Sequence, residues 1–454
     1  MNILNNNTIC APATTAGGAI AIIRISGKDT FTILSASCQL CCNNVAANTI
    51  HHTHIISPEG QIIDEVMVAV FRHPHSYTGE DSAEIYCHGS RFIVNEILKL
   101  LLKNGCRMAE PGEFTKRAFL NGKMDLSQAE AVADLIASNS RVSHKVAMSQ
   151  LRGKISSELG VLREKLLKLT ALLELELDFS DHEDLEFADR SELLELAQNI
   201  QQHIERLANS FETGQAIKNG IPVAIVGKTN VGKSTLLNQL LKDDKAIVSD
   251  IHGTTRDTIE DTIDIQGITF RIIDTAGIRQ TTDEVEKIGI NRTYNAMEKA
   301  RIVIWMMDEQ ANKEEMADIM EHAKGKSLIP VWNKVDINPC SIQEANVLGT
   351  PVISISAKKG QNIAALEHAM LKAANNPDLQ ENDTIITSAR HFEALSQAQN
   401  SLDRVINAIN QQFSGDLIAE DLRLTLSHLA EITGPAITPQ ETLNTIFQHF
   451  CVGK

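Results

Sequence analysis

Gly227 to Ser234 reads G-K-T-N-V-G-K-S, a loop of the form G-x-x-x-x-G-K-[ST]. Glycines at these positions let successive backbone N–H groups turn inward around a phosphate chain. In that arrangement Lys233 reaches the β/γ oxygens and the Ser234 hydroxyl ligates Mg²⁺. Asn230, Val231, Gly232, Lys233, Ser234 and Thr235 are therefore the expected phosphate cradle. The apolar run Ile221 to Val226 suits a buried parallel strand, and Ser234 to Leu241 has helical spacing. The loop should thus deliver phosphate to a helix N-terminus.

Four further segments follow in chain order, each expected at the carboxyl end of a strand or in a mobile loop. Gly253, Thr254 and Thr255 offer hydroxyls that can complete the Mg²⁺ shell and sense a γ-phosphate. Asp274, Thr275, Ala276 and Gly277 follow the apolar run Phe270 to Ile273. There the Asp can hold the metal through water and the Gly N–H can meet the γ-phosphate. Asn333, Lys334 and Asp336 stand in N-K-V-D after Leu328 to Trp332. The Asp336 carboxylate can accept from the N1–H and exocyclic amine of guanine, a donor pair that adenine lacks. Ser356, Ala357 and Lys358 follow Pro351 to Ile355 and supply a backbone N–H to guanine O6. Each segment alone reads as a turn; five in order define a guanine-nucleotide domain.

One position departs from the Ras-like pattern, in which a glutamine after the D-x-A-G segment orients the attacking water. Ile278 stands there and cannot do so. The downstream run Asp283 to Glu286 is the nearest source of a carboxylate, although a solvated helix start is the plainer reading of it from the residues alone.

Composition narrows the classes. At 454 residues the chain has room for two to four domains with ample core. A formal net charge of -16 repels phosphate backbones, so contact with nucleic acid needs a local basic patch or a partner's surface. The N-terminus has no basic start, and Ala19 to Ile23 is too short an apolar run to span a bilayer, which predicts a soluble, cytoplasmic protein with no membrane partner. The eight cysteines are scattered as expected of reduced thiols. Cys38-x-x-Cys41 with His51 and His54 has zinc-like spacing, but the intervening residues lack a finger-like pattern and read as a polar loop.

The elements that must position these residues fall into blocks. Ala19 to Ile25, Glu65 to Phe71 and Ala83 to Cys87 read as strands and Ile93 to Lys103 as a helix, a small α/β domain over the first ~120 residues. From about Ser127 to Phe211 the pattern is helical, with Leu159, Leu162, Leu166, Leu169 and Leu173 forming one apolar face. Helical periodicity returns over Phe392 to Ile409 and Glu420 to Ile432. Two helical blocks around one α/β block predict a single helical domain carrying an inserted nucleotide domain.

The chain ends Phe450-Cys-Val-Gly-Lys454, an apolar segment with a thiol, a cation and a carboxylate. This ending, with the inserted nucleotide domain, resembles the MnmE (TrmE) family of tRNA-modification GTPases, whose signature end is F-C-[IV]-G-K. Further matches are Ile25-Ser-Gly27 after Arg24, Tyr77-Thr-Gly-Glu-Asp81, Glu84 with His88-Gly89, Pro111-Gly-Glu-Phe114, Arg117 to Leu126, Leu177-Asp-Phe179 and Glu431-Ile-Thr-Gly434. The resemblance implies a multidomain α/β plus α chain. Residues 1–120 would be an N-terminal α/β folate-binding and dimerisation domain, 121–216 and 377–454 the two parts of a split helical domain, and 217–376 an inserted Ras-like P-loop GTPase domain. It implies a homodimer, a heterotetramer with a GidA/MnmG-family flavoprotein carrying FAD and NADH, and action on tRNA. Together they would add a carboxymethylaminomethyl or aminomethyl group at C5 of the wobble uridine, with the one-carbon unit from a tetrahydrofolate derivative.

Residue by residue, Arg24, Glu84, Lys123 and Lys454 align with the family's folate site. On sequence alone each is an ordinary surface charge; Glu84 suits a pterin because a carboxylate can accept from a ring N–H and its amine. Cys451 becomes a candidate nucleophile or redox thiol. The family's GTPase domains dimerise across K⁺, which offsets transition-state charge. The resemblance assigns K⁺ to Asn230, Ser249, Ile251 and Thr254, Mg²⁺ to Ser234 and Thr255, and the water-orienting carboxylate to Glu286, which replaces the helix-start reading. Asp250 and His252 join the nucleotide set as part of the same loop. One segment departs: the family's T-P-P-G-R-G-G is Ala13-Thr-Thr-Ala-Gly-Gly18 here, without prolines or arginine. Two rival classes are a ribosome-assembly GTPase of the Era type, which would bring a basic RNA-binding domain, and a mechanical, assembling GTPase, which would leave the folate-like residues unexplained.

Overall fold

The computed structural model describes residues 7–178, 190–243, 261–273, 294–338, 346–347, 350–374 and 384–434, together with 447, 450 and 453. Two compact units divide the chain: Met1–Ile136 with Met148–Ile200 and Gln397–Lys454, and Ala137–Ala147 with Gln201–Ser396. No described helix is long and apolar enough to cross a membrane.

In the first unit, strands β1 (Ile9–Pro12), β2 (Ile20–Ser26), β3 (Thr49–Ile56), β4 (Ile62–Phe71), β5 (Ser82–His88) and β6 (Arg107–Met108) form a six-stranded sheet in the order β3-β4-β5-β2-β1-β6. All neighbours are antiparallel except β1 and β6. Alternation decides the faces. Ile23, Ile25, Val66, Val68, Val70, Ala83 and Ile85 point to one side and pack with helices α1 (Thr30–Ser37) and α2 (Arg91–Lys103), through Phe31, Leu34, Ile97 and Leu101. The alternate residues Arg24, Glu84 and Tyr86 are left on the opposite face, each half-buried. Further along come α3 (Glu113–Leu120), α4 (Leu126–Ala137) and α6 (Lys154–Asp178), while α5 (Arg141–Leu151) lies mostly in the second unit. The leucine stripe Leu159 to Leu173 is buried throughout, and α6 packs on the late helix Gly415–Thr433. The zinc-like set is not assembled: Cys41 is exposed, His51 and His54 bond Thr49 and Gln39, and no metal-ready group occurs among the described residues.

In the second unit, helix α7 (Arg190–Asn219) leads to β7 (Ile221–Val226) and α8 (Lys233–Asp243). After them come β8 (Asp261–Ile265), β9 (Ile268–Ile272), β10 (Ile302–Met307), α9 (Lys313–His322) and β11 (Ser327–Trp332). The short pair β12 (Asn346–Val347) and β13 (Thr350–Pro351), then β14 (Ile353–Ser354) and α10 (Ile363–Ala373), complete the nucleotide-domain elements. The main sheet has the order β14-β11-β10-β7-β9-β8. Every pairing is parallel save the β8 edge. Residues of β7 and β10 feed apolar cores on both faces, as a sheet covered on two sides requires. The expected single strand Pro351 to Ile355 is divided. Pro351 has no N–H for a ladder, so Thr350–Pro351 pairs with Asn346–Val347 while Ile353–Ser354 joins the main sheet.

Within the second unit, the C-terminal half of α7 is bound to residues 384–392, where helix α11 (Ala389–Asn410) begins. Ser210 Oγ accepts from the Ile386 N–H at 3.0 Å, Gln215 Nε2 donates to the Thr387 carbonyl at 2.8 Å, and the Phe211 and Phe392 rings stack at 4.6 Å. Gly214 permits the approach, since a Cβ there would lie 2.0 Å from the Ile386 carbonyl oxygen. Gly214→Ala should therefore destabilise the protein by about 1–3 kcal/mol through overpacking against backbone. Thermal unfolding checks this; a midpoint equal to the parent's would show that the Ile386 segment can slide aside.

Candidate functional site

β7 lies where the strand order reverses, and the loop after it opens at the strands' carboxyl ends, the position where α/β sheets bind ligands. Gly227 (φ +145°) and Gly232 (φ +104°) take conformations that side chains rarely adopt, and both are crowded. A Cβ would lie 2.3 Å from the Met306 carbonyl oxygen at Gly227 and 2.3 Å from Asn333 Nδ2 at Gly232. Asn230, also left-handed at φ +61°, is exposed at the crest of the loop, and asparagine is among the residues that tolerate this region best. Lys233 begins α8, and its Nζ donates to the carbonyls of Gly227 (2.6 Å) and Lys228 (2.8 Å), closing the loop on itself. Burial pushes its ammonium below the usual lysine range. Half-buried Ser234 and exposed Thr235 complete the first turn of α8, where unpaired N–H groups attract anions. Val231 is buried.

The segments expected to recognise the base meet this loop through Asn333. Its side chain is 3% exposed; Nδ2 donates to the Val231 carbonyl at 2.7 Å, and Oδ1 accepts from the Ala357 N–H at 2.9 Å. One amide thus ties the phosphate loop, the N-K-V-D turn and the Ser356–Lys358 turn together. Lys334 is left-handed (φ +63°) and its Nζ reaches Asp308 Oδ2 at 2.6 Å. Asp336 Oδ1 accepts from the Ser356 hydroxyl at 2.8 Å, with Lys359 Nζ 3.8 Å from Oδ2. The Ser356 hydroxyl first, and the flanking lysines after it, hold the Asp336 carboxyl below the ordinary carboxylate range. It therefore stays an acceptor well into acid. Lys358 is exposed. Neither Lys359 nor the double bond of Asn333 was among the expected contacts; only packing across strands reveals them. Ser249, Asp250, Ile251, His252, Gly253, Thr254, Thr255, Asp274, Thr275, Ala276, Gly277, Ile278 and Glu286 lie outside the described residues. The chain is held on β7 as far as Ile273, whose N–H donates to the Val223 carbonyl at 2.9 Å.

A second cluster stands on the open sheet face of the first unit. Arg24 and Glu84 are cross-strand partners on β2 and β5. Glu84 Oε1 accepts from Arg24 Nε (3.0 Å) and Nη2 (2.8 Å), and its Oε2 accepts from the Tyr86 hydroxyl (2.7 Å). Burial, then the adjoining Glu84 carboxylate, raises the Tyr86 phenol. A carboxylate has about four lone-pair positions, so acceptor capacity remains. Arg24 Nη1 donates to the Gly453 carbonyl at 3.0 Å, and its guanidinium lies 5.5 Å from the Tyr77 ring centroid and 5.7 Å from that of Phe114. Gly453 (φ +93°) can sit there because a Cβ would fall 2.2 Å from the Pro12 carbonyl oxygen. Lys123 Nζ donates to the Pro74 carbonyl at 3.0 Å, and its stem packs on Gly79 in the stretch that carries Tyr77. That stretch is anchored from below: buried Arg117 bonds Glu113 and Glu80, and Glu80 accepts from Ser26. So Arg24 and Glu84 touch, Lys123 braces the adjacent loop, and the Gly453 carbonyl meets Arg24. Cys451 and Lys454 are outside the described residues. Tyr77, Tyr86 and Phe114 were not expected at this cluster, although Tyr77 and Phe114 stood in the quoted motifs.

Sheet order, glycine loop and the Asn333 tie together define a P-loop nucleotide-binding domain of the GTPase class. Residues 126–451 match the family model for the MnmE helical domain, and residues 8–123 match that for the GTP-binding protein TrmE N-terminus. The tRNA modification GTPase MnmE of Phocaeicola vulgatus is 51% identical over 500 residues, covering 100% of both chains. Its namesake in Bacteroides fragilis is 51% identical over 99% of this chain and 100% of its own. That of Porphyromonas gingivalis is 45% identical over 100% of this chain and 99% of its own. The chain belongs to the MnmE family.

Proposed function

We propose that this protein hydrolyses GTP in the service of tRNA wobble-uridine modification, helping to install a carboxymethylaminomethyl or aminomethyl group at C5. One observation carries the reading beyond a plain nucleotide switch: in a chain with a GTPase loop, Arg24, Glu84 and the Gly453 carbonyl converge on a face that nucleotide binding does not use. In this reading residues 1–120 bind a tetrahydrofolate derivative and dimerise, 121–216 and 377–454 form a split helical domain, and 217–376 are the inserted GTPase domain. Arg24, Glu84, Lys123 and Lys454 hold the folate, whose one-carbon unit becomes the new carbon on uridine. Glu84 accepts from the pterin while Arg24 holds its carboxylate in place, and Cys451 is the candidate thiol. A GidA/MnmG-family flavoprotein supplies FAD and NADH in a heterotetramer, along with much of the surface for tRNA, since a net charge of -16 repels it here. The setting is cytoplasmic.

At the nucleotide, the loop N–H groups and Lys233 bind the phosphates. Ser234 and Thr255 are the residues that would hold Mg²⁺, which would supply positive charge to the phosphates. Asn230, Ser249, Ile251 and Thr254 would hold K⁺, which would offset charge developing in the transition state. Glu286 accepts a proton's hydrogen bond from the attacking water, the task that Ile278 cannot perform. The exposed, left-handed Asn230 supports this reading, because its side chain is free of the loop's own packing.

Two measurements test the proposal. Mass spectrometry of tRNA nucleosides from a strain lacking this protein should show loss of the C5-modified wobble uridines; normal uridines there would leave a regulatory GTPase of the Era type as the better reading. Purified protein should hydrolyse GTP at least tenfold faster in potassium than in sodium, which is about 1.4 kcal/mol of barrier. Equal rates would remove the Asn230 assignment.

A further inference from the structure

α1 ends at Cys38, and Cys41 and Cys42 follow in the loop that leads to β3. The Cys38 and Cys42 sulfurs lie 4.0 Å apart, and both point to one acceptor, the Leu40 carbonyl, at 3.6 and 3.4 Å. Cys38 is 7% exposed and Cys42 fully buried, whereas Cys41 between them is exposed. The Cys42 N–H is pinned to Ser35 Oγ at 2.9 Å. The Cys42 and Val45 carbonyls accept from the Arg72 guanidinium at 3.1 and 2.9 Å, and that guanidinium lies 4.4 Å from the Phe31 ring centroid. Arg72 immediately follows β4 and begins the stretch that carries Pro74, the acceptor of Lys123, and Tyr77, the ring beside Arg24.

We propose that Cys38 and Cys42 are a reversible dithiol, oxidised to a disulfide by hydroperoxides through Cys41, and that its closure loosens the Arg72 anchor of residues 72–81. The chemistry balances with hydrogen peroxide as oxidant. The Cys41 thiolate attacks the O–O bond, forming S–O and releasing hydroxide. The Cys38 thiolate then attacks that sulfur, forming S–S and expelling the hydroxyl, which leaves as water once protonated. Cys42 then attacks the Cys38 sulfur, the Cys38–Cys41 bond breaks, and the Cys42 proton passes to the departing Cys41 thiolate. The sum is two thiols and one peroxide giving one disulfide and two waters. The contact between the two sulfurs lowers the Cys38 thiol and, with burial, raises that of Cys42, which favours Cys38 as the first attacking thiolate. A disulfide needs the sulfurs about 2.0 Å apart, so the loop must give by roughly 2 Å. The Cys42 carbonyl that Arg72 holds rides on the backbone that moves. The other close thiol pair, Cys10 and Cys106, is wholly buried with no exposed thiol beside it among the described residues.

The test uses the full chain treated with hydrogen peroxide, alkylated under denaturing conditions and cleaved with trypsin. Lys28 and Arg72 bound one peptide holding Cys38, Cys41 and Cys42 and no other cysteine. That peptide from oxidised protein should carry a single alkyl group, on Cys41, and dithiothreitol before alkylation should restore all three. In Cys42→Ser the Cys38–Cys42 link cannot form. Amide exchange over 72–81 should rise severalfold on oxidation in the parent and stay unchanged in Cys42→Ser. Three alkylated thiols after peroxide, or exchange that ignores oxidation, would overturn the proposal. Its consequence rests on the folate reading: oxidised protein should bind reduced folate severalfold more weakly. Equal affinity would break the link to Arg24, whereas no binding by the reduced protein would refute the folate site and leave the thiol result to stand by itself.

Discussion

The nucleotide-binding unit depends on one buried amide. Asn333 donates to the Val231 carbonyl of the glycine loop and accepts from the Ala357 N–H of the Ser356–Lys358 turn, so three loops from three strand ends share one side chain. Such a group is expensive to leave half-satisfied, at about 1–3 kcal/mol for each stranded partner. Its exclusion from water, at 3% exposure, makes the geometry strict. The glycines follow from it. Gly232 has no Cβ because the Asn333 amide occupies that space, and Gly227 has none because β10 does. Gly232 therefore meets a steric demand as well as a phosphate's need for bare backbone.

The first unit reaches its cluster by a different route. An antiparallel sheet with helices on one side leaves its other face free for polar residues, and cross-strand register sets Arg24 beside Glu84. An arginine so placed is rigid: it is paired, stacked near two rings and capped by the Gly453 carbonyl. The Gly453 carbonyl is thereby one of the partners that fix Arg24. The buried Arg117–Glu113–Glu80 network supports it from beneath.

Much of this was legible beforehand where a pattern is local. The strand before the loop, the helix after it and the leucine stripe of α6 all came from spacing, because burial and periodicity share a cause. Pro351 shows the limit: an apolar run looks like one strand until the missing N–H is weighed. The sequence could mark Arg24 and Glu84 only through likeness, since nothing local to either residue says that they are neighbours. Tyr77, Phe114 and Lys359 were invisible as site residues for the same reason, since each acts across a gap that only the fold closes.

What remains most exposed to challenge is the guanine reading, which rests on Asp336 as an ionised acceptor oriented by Ser356. Asp336→Asn keeps the size and the Ser356 contact but turns one acceptor into a donor, which suits the carbonyl of xanthine in place of the guanine amine. Titration of the purified variant with both nucleotides is therefore the direct test. Affinity for GTP should fall by at least a hundredfold, about 2.7 kcal/mol, while affinity for xanthosine triphosphate rises. GTP binding unchanged in the variant would contradict the account.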